Sequence, residues 1–180
     1  HEKFRLPQLD DHVDMSDGAL SIGRYFTEML DPSMNWQDVE EMVKLWDGEF
    51  CLKGIMSVED ARKAVDIGCT GIILSNHGGR QLDGSRSPFD QLAEIVDAVG
   101  DKIDVIMDSG VQRGTHVIKA LSLGAKAVSG GRYYLFPLAV AGQKGVERSL
   151  NLMREEIIRG MQLMGCKSVD ELSSNNLKFR

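Results

Sequence analysis

The chain has 180 residues, with 27 acidic and 21 basic side chains, a net charge of −6 and 42% hydrophobic residues, which fits one folded domain. The acidic balance argues against a nucleic-acid-binding groove, which needs a basic surface, and no apolar stretch approaches the roughly 18 residues of a membrane helix. The cysteines Cys51, Cys69 and Cys166 are far apart in the sequence and fit a reducing compartment. We therefore expect a cytoplasmic protein that binds neither nucleic acid nor membrane.

The first 34 residues differ from the rest of the chain. They carry seven acidic residues and weak hydrophobic periodicity, so we predict a long loop over residues 1–34, with one helix within about 18–30. Loops of this length in compact domains are usually functional or mobile. A second helix, from Trp36 to about Trp46, is predicted to lead into the first strand.

Four short apolar runs without polar alternation follow, a pattern typical of parallel strands that are buried on both faces. The runs lie near residues 50–54, 71–75, 103–108 and 126–130. Two of them belong to a short internal repeat, in which a helix ends at a glycine, an apolar run follows and Gly-Gly-Arg comes next. The repeat covers residues 64–80 and 120–132, and it places Gly-Gly-Arg at the exit of two strands.

Helix boundaries are marked by serine and proline. Ser57 and Ser87 are predicted N-caps, the second one followed by a proline at the first helical position, and Ser168 is predicted to open another capping box. The longest helix is predicted from about Gly145 to Met164, with an apolar stripe that packs in the core. The stripe consists of Val146, Leu150, Met153, Ile157, Met161 and Met164.

Alternating strands and helices with right-handed crossovers predict a parallel sheet. Two architectures remain open on this pattern: a doubly wound open sheet and a (β/α)8 barrel. A barrel needs at least about 200 residues, and four strand–helix units make half of one. If the fold is a barrel, the chain is expected to be incomplete or to pair with another half.

The segment at residues 74–83 has the residue types of an active site. His77 and Arg80 follow a predicted strand and are separated by two glycines, at the sheet edge where parallel α/β folds place their sites. An imidazole can take a proton and a guanidinium can hold a carboxylate, which together suit a small hydroxy or keto acid. The alternative is a capped surface turn with a His–Asp pair.

Two further strand exits carry residues of interest. Lys53 ends a predicted apolar strand and needs an anionic partner, either a structural carboxylate or an anionic ligand. The segments 108–115 and 130–132 each follow a strand and precede a helical segment, which is the pattern of phosphate-binding loops in barrels. Backbone N–H groups and Arg132 would hold a phosphate there.

These segments together resemble the FMN-dependent 2-hydroxy acid dehydrogenase/oxidase family, which includes glycolate oxidase, mandelate dehydrogenase and flavin-type lactate dehydrogenases. The resemblance rests on Ser-Asn-His-Gly-Gly-Arg-Gln-Leu-Asp at 75–83, with Leu-Lys-Gly at 52–54, Asp-Ser-Gly at 108–110 and Gly-Gly-Arg at 130–132. It implies that residues 35–180 form the C-terminal half, strands five to eight, of an FMN-binding (β/α)8 TIM barrel. Residues 1–34 would then be the long mobile active-site loop.

The resemblance also implies a role for each matching residue. His77 would be the active-site base, Arg80 would bind the substrate carboxylate, and Lys53 would lie by the N1/O2 edge of the flavin. The remaining cofactor-binding residues would be Ser75 beside the ring and, along the ribityl and phosphate channel, Asp108, Ser109, Gly110, Val111, Gln112, Gly131 and Arg132. Gln112 stands where the family usually has an arginine, and neighbouring Arg113 is the candidate to replace that contact. No metal site is expected.

The implied activity is oxidation of a small (S)-2-hydroxy acid to its 2-oxo acid, with two electrons passing to FMN. In the family, the N-terminal half of the barrel carries the substrate-binding tyrosines and the aspartate that orients the histidine. This segment alone is therefore expected to be inactive and to need that half. A homo-oligomer is also expected. Two alternatives stay open: an FMN oxidoreductase that acts on a larger substrate, and an inactive or ligand-binding half-barrel.

Overall fold

The computed structural model describes residues 19–178, and its side chains from residue 23. The chain forms two compact units, residues 1–39 and 40–180, which are described separately. The described part of the first unit contains helix α1 (Ala19–Met29) and the start of helix α2 (Trp36–Trp46). Both helices lie where the sequence predicts them. Residues 1–18 of the predicted loop lie outside the described residues.

The second unit is built on a four-stranded parallel sheet in the order β1-β2-β3-β4. The strands are β1 (Cys51–Lys53), β2 (Gly71–Leu74), β3 (Asp104–Met107) and β4 (Ala127–Val128). A doubly wound sheet would place strands out of sequence order at its switch point. Consecutive order with right-handed crossovers instead continues in one direction around an arc, so the fold is half of a (β/α)8 barrel.

Three helices alternate with the strands: α3 (Val58–Asp66), α4 (Pro88–Val99) and α5 (Gly114–Ser122). The two predicted serine caps are confirmed. The Ser57 hydroxyl accepts the N–H of Asp60, and the Ser87 hydroxyl accepts the N–H of Phe89. Each cap satisfies an N–H group that the helix itself leaves without a partner.

The core lies between the central strands and these helices. Its largest fully buried side chains are Ile72, Leu74, Leu92, Ile95, Val99 and Val105. The prediction of strands buried on both faces is right for β2 and most of β3 but wrong at the edges of the sheet. Cys51 and Lys53 of β1 and Ala127 of β4 are exposed, because no further strand or helix of the described chain covers them.

The helical segment predicted after residue 132 and the helix predicted from about Gly145 to Met164 form one interrupted helix. Helix α6 (Gly131–Met164) contains two residues with non-helical dihedral angles, Ala141 and Gly142, so it consists of two helical segments. None of its residues is fully buried, and Leu150 of the predicted core stripe is 54% exposed. The stripe therefore covers α5 only in part.

The C-terminal capping box is displaced by five residues from its predicted place. Ser168 makes no side-chain cap, and the Glu171 carboxylate accepts the N–H of Lys167 at 2.7 Å rather than that of Ser168, so neither half of a capping box forms. The capping box forms at Ser173, where the Asn176 side chain accepts the Ser173 N–H. Within residues 19–178, no helix is both long enough and apolar enough to cross a bilayer.

Candidate active site at the carboxyl ends of the strands

A cavity of about 640 Å³ opens where the four strands end. Ten of the residues predicted for the site line it: Lys53, His77, Arg80, Asp108, Ser109, Gly110, Val111, Gln112, Gly131 and Arg132. Ser75 is the exception, since it is 5% exposed and lies beneath the cavity rather than on its wall. The parallel sheet brings these residues together because all four strands end at the same edge.

The turn after β2 presents His77 and Arg80. His77, Gly78 and Gly79 all have positive φ angles, of 56°, 67° and 73°, so the chain makes a left-handed turn that glycine favours. The turn is held by the Asn76 side chain, which accepts the N–H of Gly79 at 3.1 Å. Within the described residues, the side chains of His77 and Arg80 are exposed and make no hydrogen bond or ion pair. They are therefore available to a ligand in the cavity.

Asp108, directly after β3, is a nearly buried carboxyl whose side chain is 13% exposed. It accepts a 2.5 Å hydrogen bond from the Ser75 hydroxyl, and the Lys53 ammonium lies 3.8 Å away. Burial by itself would raise the pKa of Asp108, but hydrogen bonds from Ser75, Ser129 and Ser109 and the charge of Lys53 hold that pKa below its usual value. The carboxylate is thus charged, and it is the structural anionic partner of Lys53 in the described chain.

The loop before α5 places Arg113 outside the cavity lining. Its guanidinium binds the Glu156 carboxylate of α6 through two nitrogens, each 2.8 Å from Oε1. Glu156 also accepts the N–H of Gly114 at 2.7 Å, so it caps the start of α5. These bonds hold the pKa of Glu156 below its usual value. Gln112 lies on the cavity wall, and the neighbouring cation in the sequence, Arg113, is bound to Glu156.

The start of α6 differs from the start of α5. In the described chain no side chain caps α6 at Gly130, and a Cβ built on Gly131 would meet no atom within 4 Å. The first N–H groups of this helix therefore have no side-chain partner in the described chain, and Gly131 leaves room beside them, as an anion-binding helix terminus requires. Arg132 reaches from here to the turn after β2, where its Nη2 donates to the carbonyl of Gly78 at 2.8 Å.

One wall of the cavity was not predicted as part of the site. Its residues are Ser129, Tyr133, Leu135, Phe136, Pro137, Ser149 and Leu152, whereas Gly78 and Gly130, which also line the cavity, lie in the predicted segments 74–83 and 130–132. Most of the unpredicted residues belong to α6, whose side chains were expected to pack in the core or were given no role. The signal was present, since an aromatic and apolar run follows Gly-Gly-Arg directly at residues 133–137. Tyr133 ties the wall together, because its hydroxyl donates to the carbonyl of Ser149 at 2.5 Å.

The charges of the cavity are opposite in sign to those of the chain. Lys53, Arg80 and Arg132 line it, whereas Asp108 is its one acidic residue within the described part of the chain. The net charge of the whole chain is −6, so this concentration of cations is local. It favours an anionic ligand. Among residues 19–178, no three His, Cys, Asp or Glu side chains come together as metal ligands.

The depressed pKa of Asp108 predicts how Asp108→Asn changes stability with pH. A carboxyl with a lowered folded-state pKa stabilises the fold above its unfolded-state pKa, about 3.9, and loses that contribution as the pH falls through the folded-state value. We expect Asp108→Asn to lower the free energy of unfolding by roughly 1–3 kcal/mol at pH 7, with the difference shrinking below about pH 4. Urea unfolding from pH 7 to pH 2.5 measures it.

The exposed carboxyl of Asp101 provides the control. Asp101→Asn should leave the free energy of unfolding nearly unchanged over the same range. A deficit in Asp108→Asn that stays constant down to pH 2.5 would contradict the charged state assigned to Asp108.

Comparison with known proteins agrees with this geometry. The family model described as FMN-dependent dehydrogenase matches residues 3–179. The chain is 43% identical over 171 residues to the L-lactate dehydrogenase (cytochrome) of Saccharomyces cerevisiae, covering 92% of this chain and 28% of that protein. It is 41% identical over 166 residues to the L-lactate oxidase of a Nostoc species, covering 92% of this chain and 46% of the relative.

Solved structures give the same result for the fold. The crystal structure described as the monotopic membrane protein (S)-mandelate dehydrogenase superposes with a TM-score of 0.83 at 39% identity, over 88% of this chain and 42% of that one. The chain thus spans less than half the length of the relatives that it matches. From its sequence, its half-barrel fold and these matches, the chain belongs to the FMN-dependent dehydrogenase family, whose cofactor is FMN.

Proposed function

We propose that this chain forms the part of an enzyme that binds FMN and the substrate carboxylate, and that the enzyme oxidises a small (S)-2-hydroxy acid to the 2-oxo acid. One observation carries the proposal: His77, Arg80 and Lys53 line the same cavity as the two candidate phosphate loops. The relatives named as L-lactate dehydrogenase, L-lactate oxidase and (S)-mandelate dehydrogenase support a 2-hydroxy acid as the substrate class.

The phosphate of FMN fits the start of α6. Uncapped N–H groups at a helix N-terminus bind an anion through hydrogen bonds and the helix dipole. Gly131 leaves room for a close approach, and the Arg132 guanidinium is adjacent. The start of α5 is a weaker candidate, because the Glu156 carboxylate already occupies the N–H of Gly114. We therefore assign the phosphate to Gly131 and Arg132, with Ser109, Gly110, Val111 and Gln112 along the channel.

The ring end of the cofactor is assigned to Lys53. Bound FMN supplies a two-electron acceptor that gains negative charge on reduction. The Lys53 ammonium is held toward the cavity by Asp108 at 3.8 Å, so a positive charge is already in place for it. Since Asp108 is occupied by Ser75, Ser129 and Lys53, its main task is to orient this lysine, and a ribityl hydroxyl would be a further contact.

The substrate is assigned to His77 and Arg80. The Arg80 guanidinium would hold the carboxylate of the 2-hydroxy acid through paired hydrogen bonds. The His77 imidazole would then accept a proton from the substrate, either from the α-carbon or from the hydroxyl group. In both cases the substrate loses two electrons and two protons and becomes the 2-oxo acid. His77 has a positive φ angle and lies in the turn after β2, where its side chain lines the cavity.

The other half of the site is proposed to come from outside this segment. The chain spans less than half the length of its relatives, and β1 and β4 are open edges of the described sheet. Open edges and exposed apolar side chains need a partner. We propose that these residues pair with an N-terminal half-barrel to complete the site, that residues 1–34 form its active-site loop and that the complete protein is a homo-oligomer.

A cytoplasmic location is the final part of the proposal. It is supported by the acidic balance and by three cysteines that form no pair in sequence or structure, since the sulfurs are free. Because one relative is described as a monotopic membrane protein, fractionation without detergent is the test. We expect the protein in the supernatant, and recovery in the membrane pellet would contradict this location.

Substitution of His77 tests the assigned chemistry. We expect His77→Ala, in the complete polypeptide, to slow anaerobic bleaching of the flavin by 2-hydroxy acids by at least roughly 100-fold, because the proton acceptor is gone. The variant should remain yellow and folded. Stopped-flow absorbance near 450 nm with a panel of small and large 2-hydroxy acids measures the rate and separates the substrate classes.

Arg62→Ala is the control, since Arg62 is an exposed cation of α3 outside the cavity, and it should bleach at the rate of the unaltered protein. Loss of bound flavin from His77→Ala with normal turnover for each flavin that remains would count against the assignment. Purified protein without absorbance near 450 nm would favour an inactive or ligand-binding half-barrel.

An arginine substitution at Gln112 is expected to raise the affinity for FMN. Because Arg113 is held by Glu156, Gln112→Arg should add a free guanidinium to the cavity wall and tighten FMN binding by roughly tenfold. Quenching of flavin fluorescence on titration of the apoprotein measures the dissociation constant. Gln143→Arg adds the same charge outside the cavity and should leave the constant unchanged. Equal tightening in both variants would mean that overall charge, rather than position 112, is responsible.

A further inference from the structure

Ser109 has an unusual backbone for its residue type. Its φ angle is +78°, and among the described residues only Asp47, His77 and Ser109 combine a side chain with a positive φ. Glycine adopts this region without penalty, whereas serine is strained there. Strained non-glycine residues persist where the surrounding structure holds them, and they concentrate at functional sites. The hydroxyl is the feature that distinguishes serine from the less strained glycine at this position.

That hydroxyl bonds to the turn that carries His77. Ser109 Oγ accepts the N–H of Gly78 at 3.1 Å and lies 3.3 Å from Asp108 Oδ2, to which it can donate. Ser75 Oγ lies 3.4 Å away on the same side. The side chain thus connects the charged carboxylate after β3 to the main chain of the turn after β2.

The rest of the His77–Gly78 main chain is also held from outside the turn. The N–H of His77 donates to Ser75 Oγ at 3.1 Å, and the carbonyl of Gly78 accepts from Arg132 at 2.8 Å. Ser109 supplies the remaining bond, since the N–H of Gly78 has no other partner in the described chain. With all three groups bonded, the main chain of the left-handed turn is held in place, and the Cα–Cβ bond of His77 leaves it in a fixed direction.

We propose that Ser109 is a positioning residue for His77: its hydroxyl holds the amide of Gly78 and thereby fixes the point and direction from which the His77 side chain enters the cavity. This goes beyond a place on the wall of the cofactor channel. It rests on the proposed function, in which His77 accepts the substrate proton. Glycine would be unstrained at position 109, but it has no hydroxyl group to accept the N–H of Gly78.

Two variants separate positioning from stability. Ser109→Ala removes the hydroxyl and keeps the strain, whereas Ser109→Gly removes both. In the complete flavin-loaded polypeptide, both should raise the exchange rate of the Gly78 amide and lower the saturating rate of flavin reduction, each by roughly tenfold, the change expected for one lost hydrogen bond. KM should change little. Ser109→Gly should unfold at a higher urea concentration than Ser109→Ala.

Hydrogen–deuterium exchange resolved to single amides and stopped-flow reduction give these readouts. Ser129→Ala is the matched control for exchange, because Ser129 is a second serine of the cavity lining and makes no hydrogen bond to Gly78 in the described chain, so the variant should leave the Gly78 amide protected. Unchanged Gly78 exchange in both Ser109 variants would overturn the proposal. So would a reduction rate that falls in Ser109→Ala and returns to normal in Ser109→Gly, since the rate would then follow strain rather than the hydroxyl.

Failure of the proposed function is recognised separately. If no 2-hydroxy acid bleaches the unaltered protein, the oxidation chemistry is wrong. The exchange rate of Gly78 in the two variants still decides whether the Ser109 hydroxyl holds the turn.

Discussion

The Asp108 carboxylate is the charge on which the arrangement of the site depends. It is nearly buried, so it must be satisfied by hydrogen bonds or by opposite charge. Its partners come from the ends of two other strands: Lys53, the last residue of β1, lies 3.8 Å away, and Ser75, directly after β2, donates a hydrogen bond. One carboxylate after β3 therefore connects the carboxyl ends of three neighbouring strands.

This arrangement leaves the side chains of His77 and Arg80 free for ligands. Since Asp108 is the one acidic residue among the described lining, the side chains of Arg80 and His77 face a cavity with excess positive charge. The two helix N-termini at its rim have different tasks. The start of α5 is capped by the Glu156 carboxylate, which links α5 to α6, whereas the start of α6 has no side-chain cap and is suited to bind an anion. The distinction makes α6 the stronger site for a phosphate.

Local signals predicted most of the fold. Short apolar runs located the four strands, because a strand that is buried on both faces needs consecutive apolar residues. The serine caps at 57 and 87 placed two helices, because the first helical N–H groups are satisfied by a side chain close by in the sequence. The capping box predicted at Ser168 was wrong, since Ser168 makes no side-chain cap and Glu171 accepts the N–H of Lys167. The two segments of helix α6 were predicted separately, because a break at Ala141–Gly142 interrupts its periodicity.

The sequence by itself determined the strand–helix alternation, the motif at residues 75–83 and the presence of an imidazole and a guanidinium at one strand exit, since each depends on residues close together in the chain. Only the tertiary structure decided that Arg113 binds Glu156, that Ser75 lies beneath the cavity and that Ser109 holds Gly78. These contacts join residues that are 31 or more positions apart or depend on burial by other elements. Parallel strands bring such residues to one edge, and no local pattern encodes which of them will meet.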